Sequence, residues 1–281
     1  MKRLITLLGA GSLLLLSCHN LVLENRVICP SLLLFDIENA ESFDGVNHVH
    51  IAAYSEPEVQ FLEADTTVVT DIQDQSFYLK VKKSDSVMGY GVMGYEGARK
   101  EGDFCWVVDR GKEYVPLFRF AYEKVPAREE SVLIPVEFVK DFTRVTLRFV
   151  NFDVFENAHG RLPFRLCISG HTVGIDASTG IPVQGDFRYE PPEEAQGVFH
   201  FTVPRQADRS LTLELYGIPE LGQEEGLVES FNLWTLFRQQ EDFSWEAKNL
   251  PDVYLEFDYT QVQFRITVAD WEKGGHLQFD V

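Results

Sequence analysis

A thiol at position 18 closes the run Leu15-Leu16-Ser17-Cys18, and the chemistry open to it there is covalent lipidation. Lys2 and Arg3 supply positive charge at the start, and an apolar run follows as far as Leu16. Charge followed by a hydrophobic stretch too short to span a bilayer as a helix is the form of an export signal. The ending matches the sites where lipoprotein signal peptidases cut, here between Ser17 and Cys18, although Leu16 stands where a smaller residue is more usual. Cys18 would then be the first residue and carry a thioether-linked diacylglycerol. A first residue has no fold upstream to pack against, so its type answers to chemistry. This reading expects residues 1–17 to be removed, residues 18–28 to form a lipidated tether, and the chain to be held on a membrane.

Other constellations carry less. Gly89-Tyr-Gly-Val-Met-Gly94 spells G-x-G-x-x-G, but a dinucleotide site needs a helix next, with its N-terminus on the pyrophosphate. The following residues, 95–102, hold two glycines and no apolar stripe, so an irregular strand or bulge is expected. His48 and His50 would share one face of a strand, yet two imidazoles without further ligands make no stable metal site; a solvated face is expected. The histidines at 19, 159, 171, 200 and 276 form no H-E-x-x-H array, and no G-x-S-x-G elbow occurs. No catalytic residue, metal ligand or cofactor is assigned, and the chain is read as a non-enzyme.

The composition sets the surroundings. Net charge is −19, and loss of Lys2 and Arg3 with the signal makes it −21. Phosphate backbones repel such a surface, which argues against a nucleic-acid partner. With 45% hydrophobic and 13% aromatic residues the chain can bury a sizeable core. Once Cys18 is lipidated, Cys29, Cys105 and Cys167 remain, so any single bridge leaves one thiol over. Free thiols are expected, Cys167 half-buried in a strand; Cys29–Cys105 is the first pair to test.

The elements that must position these residues are strands. Leu32-Leu-Leu-Phe35 reads as a short buried strand, and period-two alternation runs through Phe77–Val81, Val132–Phe138, Val145–Phe149, Phe164–Ile168, Phe199–Val203 and Leu211–Leu215. Residues 253–259 and 262–268 repeat it around a short turn, a closing hairpin. One helix is expected at Phe231–Phe237, where Leu233, Leu236 and Phe237 share a face. Many short strands between turns imply antiparallel β-sandwiches, an all-β protein with one short helix in its second half. Length suggests two domains, placed at 29–140 and 141–281 with the boundary at Lys140-Asp141. No transmembrane span is seen in the mature chain. From Val27 to Leu79 there is no Lys or Arg, so a trypsin-like protease has no site between the first strand and Leu79.

Short motifs, in order, resemble one family. Glu24-Asn-Arg-Val-Ile-Cys-Pro30 ahead of an apolar strand resembles the start of FimB-type fimbrial anchor lipoproteins of Bacteroidetes. Phe164-Arg-Leu-Cys-Ile-Ser-Gly170, Gly174-Ile-Asp176, Pro182 and Gly185-Asp-Phe187 continue the likeness. Val203-Pro-Arg-Gln-Ala-Asp-Arg-Ser-Leu211 is its most specific part; Phe231-Asn-Leu233, Trp245, Leu250-Pro-Asp252, Asp258-Tyr259 and Trp271 complete it. The resemblance implies two tandem transthyretin-like sandwiches and a place in a type V pilus at the outer membrane. In that family a trypsin-like protease removes the first strand of pilin subunits, and a neighbour's strand fills the groove. An anchor keeps its lipid and first strand, ends the fibre, and takes pilin subunits and, through Cys18, the membrane as partners. The alternative is a surface lipoprotein that binds glycan or a host protein through sandwich loops, although Trp106, Trp234, Trp245 and Trp271 are expected to serve the core.

Overall fold

A computed structural model describes residues 30–38, 48–151, 162–195, 197–221, 224, 226–258, 260–261 and 263–269. Ser17, Cys18, Cys29 and Trp271 lie outside them, with the histidines at 19, 159 and 276. The first elements are β1 (Ser31–Ile37), β2 (His48–Ser55), β3 (Phe61–Val68), α1 (Val69–Gln73) and β4 (Leu79–Val81). Next come β5 (Ser84–Met93), β6 (Arg99–Glu101), β7 (Cys105–Val107), β8 (Phe118–Ala127), β9 (Ser131–Val136) and β10 (Val139–Lys140). Then follow β11 (Phe142–Val150), β12 (Phe164–Asp176), β13 (Pro182–Tyr189), β14 (Glu193–Ala195) and β15 (Val198–Pro204). The last are β16 (Thr212–Gly217), β17 (Gly226–Asn232), α2 (Leu233–Arg238), β18 (Asp252–Asp258) and β19 (Gln263–Ala269).

The protein is all-β. Its sheets run β4-β1-β9, β10-β8-β5-β2-β3, β14-β15-β11-β18-β19 and β17-β16-β12-β7-β6, with β13 also on β12. Pairing is not purely antiparallel: β1 runs parallel to β9, and β11 parallel to β18. Alternation reports which face a residue takes and is silent on strand direction, and partners far apart in sequence leave no hairpin turn to read. Among the described residues there are two short α-helices, one of them in the second half as expected. α2 lies where expected, capped by Asn232, whose side chain accepts from the Thr235 N–H at 2.8 Å. α1 follows β3 without such a signal and buries Val69 and Ile72.

The chain forms two compact units, each assembled from separate segments. Of the described residues, those within 1–38, 51–89 and 122–136 form one, and those within 39–50, 90–121 and 137–281 the other. A single cut at Lys140-Asp141 does not reproduce them, because residues 90–121 group with the second. Lys140 and Asp141 are themselves 0% and 1% exposed, whereas a linker lies in water. In the first unit, Leu33, Phe35 and Ile37 of β1 and Ile134 and Val136 of β9 are buried, and the Phe35 ring lies beside Phe77 and Tyr122. In the second, the inward faces of β11 and β15, with Val145, Leu147, Phe149, Phe199, Phe201 and Val203 buried, build one layer. Leu166 and Ile168 of β12 and Leu213 and Leu215 of β16 are buried in the facing layer.

The glycine motif has a packing cause. A Cβ on Gly89 would lie 2.0 Å from the Ala52 carbonyl oxygen, and one on Gly91 would lie 2.2 Å from the Phe120 ring. Both sit inside β5, and no helix follows. His48 is exposed as expected, but His50 is half-buried, its ring 5.5 Å from Trp106 and 6.3 Å from Tyr90. Aromatic neighbours contributed from distant strands, invisible in the local pattern, put it there. Cys105 and Cys167 are free thiols. Cys167 is fully rather than half buried, and burial pushes its thiol up to about 11.

Candidate functional site

β1 is seated between two partners. Ser31, Leu32 and Leu33 align antiparallel with Val81, Lys80 and Leu79. On the other side Leu32 to Ile37 run parallel to Ser131 to Val136. Backbone bonds hold both ends: the Leu32 N–H donates to the Glu130 carbonyl at 2.9 Å, and the Glu38 N–H to the Val136 carbonyl at 3.1 Å. The alternation sends Leu33, Phe35 and Ile37 inward, where all three are buried. The Phe35 ring lies 5.6 Å from Tyr122 and 6.4 Å from Phe77. Burying such a side chain contributes about 1.5–3 kcal/mol. Without β1, the facing edges of β4 and β9 would lose their backbone partners. The space left would be a groove matched to another strand of the same alternation.

The basic residues nearest β1 are placed unequally. Arg26 precedes it, outside the described residues. Lys80 is the next in sequence, and it sits within β4, directly opposite Leu32. Its peptide bonds belong to the ladder, so the folded chain does not present them to a protease as an extended, free segment. Ser17 and Cys18, the expected cleavage and lipidation site, lie outside the described residues.

In the second unit the family-like motifs converge on buried charge. Asp141 accepts from the Arg119 Nε at 2.5 Å and from the Arg205 Nε at 2.7 Å. Arg205 also donates to the carbonyls of Trp245 and Lys248. Next to it the Lys140 ammonium donates to the carbonyls of Phe142 and Leu250 at 2.9 and 2.6 Å, and to the Asp252 carboxylate at 2.8 Å. Asp252 in turn accepts from the Arg144 N–H at 2.8 Å. Burial, opposed by Asp252, lowers the Lys140 ammonium from 10.5 to about 8. Arg205, Trp245, Leu250 and Asp252, spread over nearly fifty positions of sequence, thus form one polar knot. It is a structural site, since every named donor is spent on the protein itself.

Among the described residues, two of the strands that end sheets in the second unit come together at a ring contact. β17 and β19 end their sheets, and Phe231 of β17 lies 4.9 Å from Phe264 of β19. Phe264, Ile266 and Val268, the inward residues of β19, are only half-buried, while Leu227 and Val228 of β17 are exposed. Trp106 and Trp245 are buried, and Trp234 is half-buried between Arg209 and Arg238, each 5.0 Å from its ring. Among the described residues no group of three or more His, Cys, Asp or Glu could hold a metal, and no helix is long and apolar enough to cross a membrane.

No family model and no curated protein matches the sequence. Solved structures do share the fold. A candidate polysaccharide-binding protein from Bacteroides thetaiotaomicron superposes with a TM-score of 0.62 at 11% identity, covering 86% of this chain and 96% of that one. A candidate adhesin from Bacteroides ovatus gives 0.59 at 16% identity, covering 86% and 94%. The fimbrial anchor protein Mfa2 from Porphyromonas gingivalis gives 0.58 at 11% identity, covering 85% and 97%.

Proposed function

We propose that this chain is a fimbrial subunit of the FimB anchor type, lipidated on Cys18 after cleavage behind Ser17 and held at the outer membrane. Its work is to keep its first strand. The observation that carries this is the seating of β1 between β4 and β9, together with the absence of Lys and Arg from Val27 to Leu79. A cut after Arg26 would remove the lipid and leave β1 in place, so the groove stays filled and no incoming strand can take it. The fibre then ends at this subunit. Contact with the adjoining pilin falls to the second unit, where, among the described residues, β19 ends its sheet and offers a half-covered apolar face, the requirements for strand addition. The likeness to Mfa2 and to the candidate adhesins supports a cell-surface setting. Loop-borne glycan binding draws no support from the tryptophans of the described residues, which are spent on the core or on arginine.

Deleting the chain from its host tests the proposal. Intact fibres should appear in the medium, and the mature protein recovered from membranes should begin at a lipidated Cys18. Fibres that stay on the cell, or a mature chain shortened past Phe35 in sheared fibres, would sink it.

A further inference from the structure

The outward face of the β1 sheet is the wrong chemistry for water. In a sheet with one face on the core, the other face reads polar. Here the outward residues of β1 include Leu32 and Leu34, both only half-buried. Leu34 pairs with Leu133 of β9, which is 50% exposed. Tyr78, just ahead of β4, is 40% exposed, and the Lys80 ammonium lies 5.5 Å from the centre of its ring. These five side chains make one apolar patch with an aromatic and an amine at its rim.

We infer that this face lies against the lipid bilayer. The inference rests on the lipidated-tether reading above and says what the tether holds down. Eleven residues, 19–29, separate Cys18 from Pro30, a reach of at most about 40 Å, and the chain enters the fold in the patch's own sheet, at Ser31. The tether thus keeps this face at high effective concentration beside the headgroups. Leucines flanked by a tyrosine and a lysine suit that boundary: the aliphatic chains enter the acyl edge, while the phenol and ammonium stay at the phosphates. Charge is graded the same way. Lys80 is opposite Leu32 near the tether, and the exposed Asp36 lies toward the other end of β1. The two acyl chains of the lipid hold the chain at the membrane, and this face sets how the first unit lies against it.

The test uses the full lipidated chain in phosphatidylethanolamine–phosphatidylglycerol vesicles, with the photoreactive residue p-benzoylphenylalanine replacing Leu133 or, as control, the exposed Thr66 of β3. Mass spectrometry first reads the state of Cys18. With lipid on Cys18, irradiation should give protein–lipid adducts several-fold more abundant at 133 than at 66. Equal adduct yields, or protein–protein adducts at 133 that assign the face to a second copy or another subunit, would overturn the inference while leaving the anchor intact. A Cys18 without lipid would remove the tether itself, and both readings would fall together.

Discussion

Asp141 is a carboxylate with 1% of its surface exposed and a guanidinium on each side. Taking one charge out of such a group leaves the others buried without their counter-charge, which costs about 3–5 kcal/mol. Asp141→Asn should therefore lower stability by that amount in urea unfolding, with no change in the m-value. Lys140 makes a separate prediction through pH. Its folded pKa, about 8, lies below the ordinary 10.5, so between these values the unfolded chain holds more protons. Stability from this group rises as pH goes from 8 to 10.5, by up to about 3 kcal/mol, and its burial cost is fully present below 8. The raised thiol of Cys167 acts in the opposite sense between about 9 and 11. The readable quantity is thus the difference between wild type and Lys140→Met at pH 7.5 and 10; the variant should lose the rise, and equal pH profiles would refute the assignment. Neither residue was legible as a core group. In sequence Lys140-Asp141 is a charged pair between two strands, the look of a boundary, and its partners lie at 119, 205 and 252.

At the scale of elements, β1, β4, β9, β11, β12, β15, β16, β18, β19 and α2 could be read from the apolar pattern, because one face of each is buried. β2 and β5 were expected only as a histidine-bearing face and an irregular strand, and β3, β6 to β8, β10, β13, β14 and β17 were not read. Gly89 and Gly91 in β5 trade side chains for close approach, and β3 and β6 expose much of both faces. The groove, the central feature of the proposed site, could be read only in part: the apolar run of β1 was visible, its parallel partner was not. β1 gives the sharpest prediction. Glu38 follows it directly, and its backbone bond to Val136 survives a change of side chain. Glu38→Arg supplies a trypsin site behind the strand that nature omits. Trypsin should then cut after position 38, and the chain should take up an excess of labelled peptide with the Ser31–Ile37 sequence, read by fluorescence anisotropy. Cleavage without uptake would mean that β1 is not a replaceable filling of a groove.

At the scale of the whole molecule, the absence of basic residues becomes a pattern of digestion. Light trypsin treatment of membranes carrying the wild-type chain should release a protein that begins at Val27, keeps β1, and melts at the temperature of the intact chain. A product beginning at Val81 would show that β4 opens and that the strand is not locked. Acidic charge and the all-β class were legible in composition and pattern; the units were not, because each is drawn from three separated segments. The parallel pairing of β1 also bears on how the molecule comes together in time. Leu32 meets Ser131, about 100 residues further along, so the strand nearest the N-terminus waits for most of the first unit before its second edge is covered. Contacts so distant in sequence close slowly and leave a sticky strand unshielded meanwhile. A strand made early is thus among the last to find its place, and a chaperone that shields extended apolar strands would serve this chain while it folds.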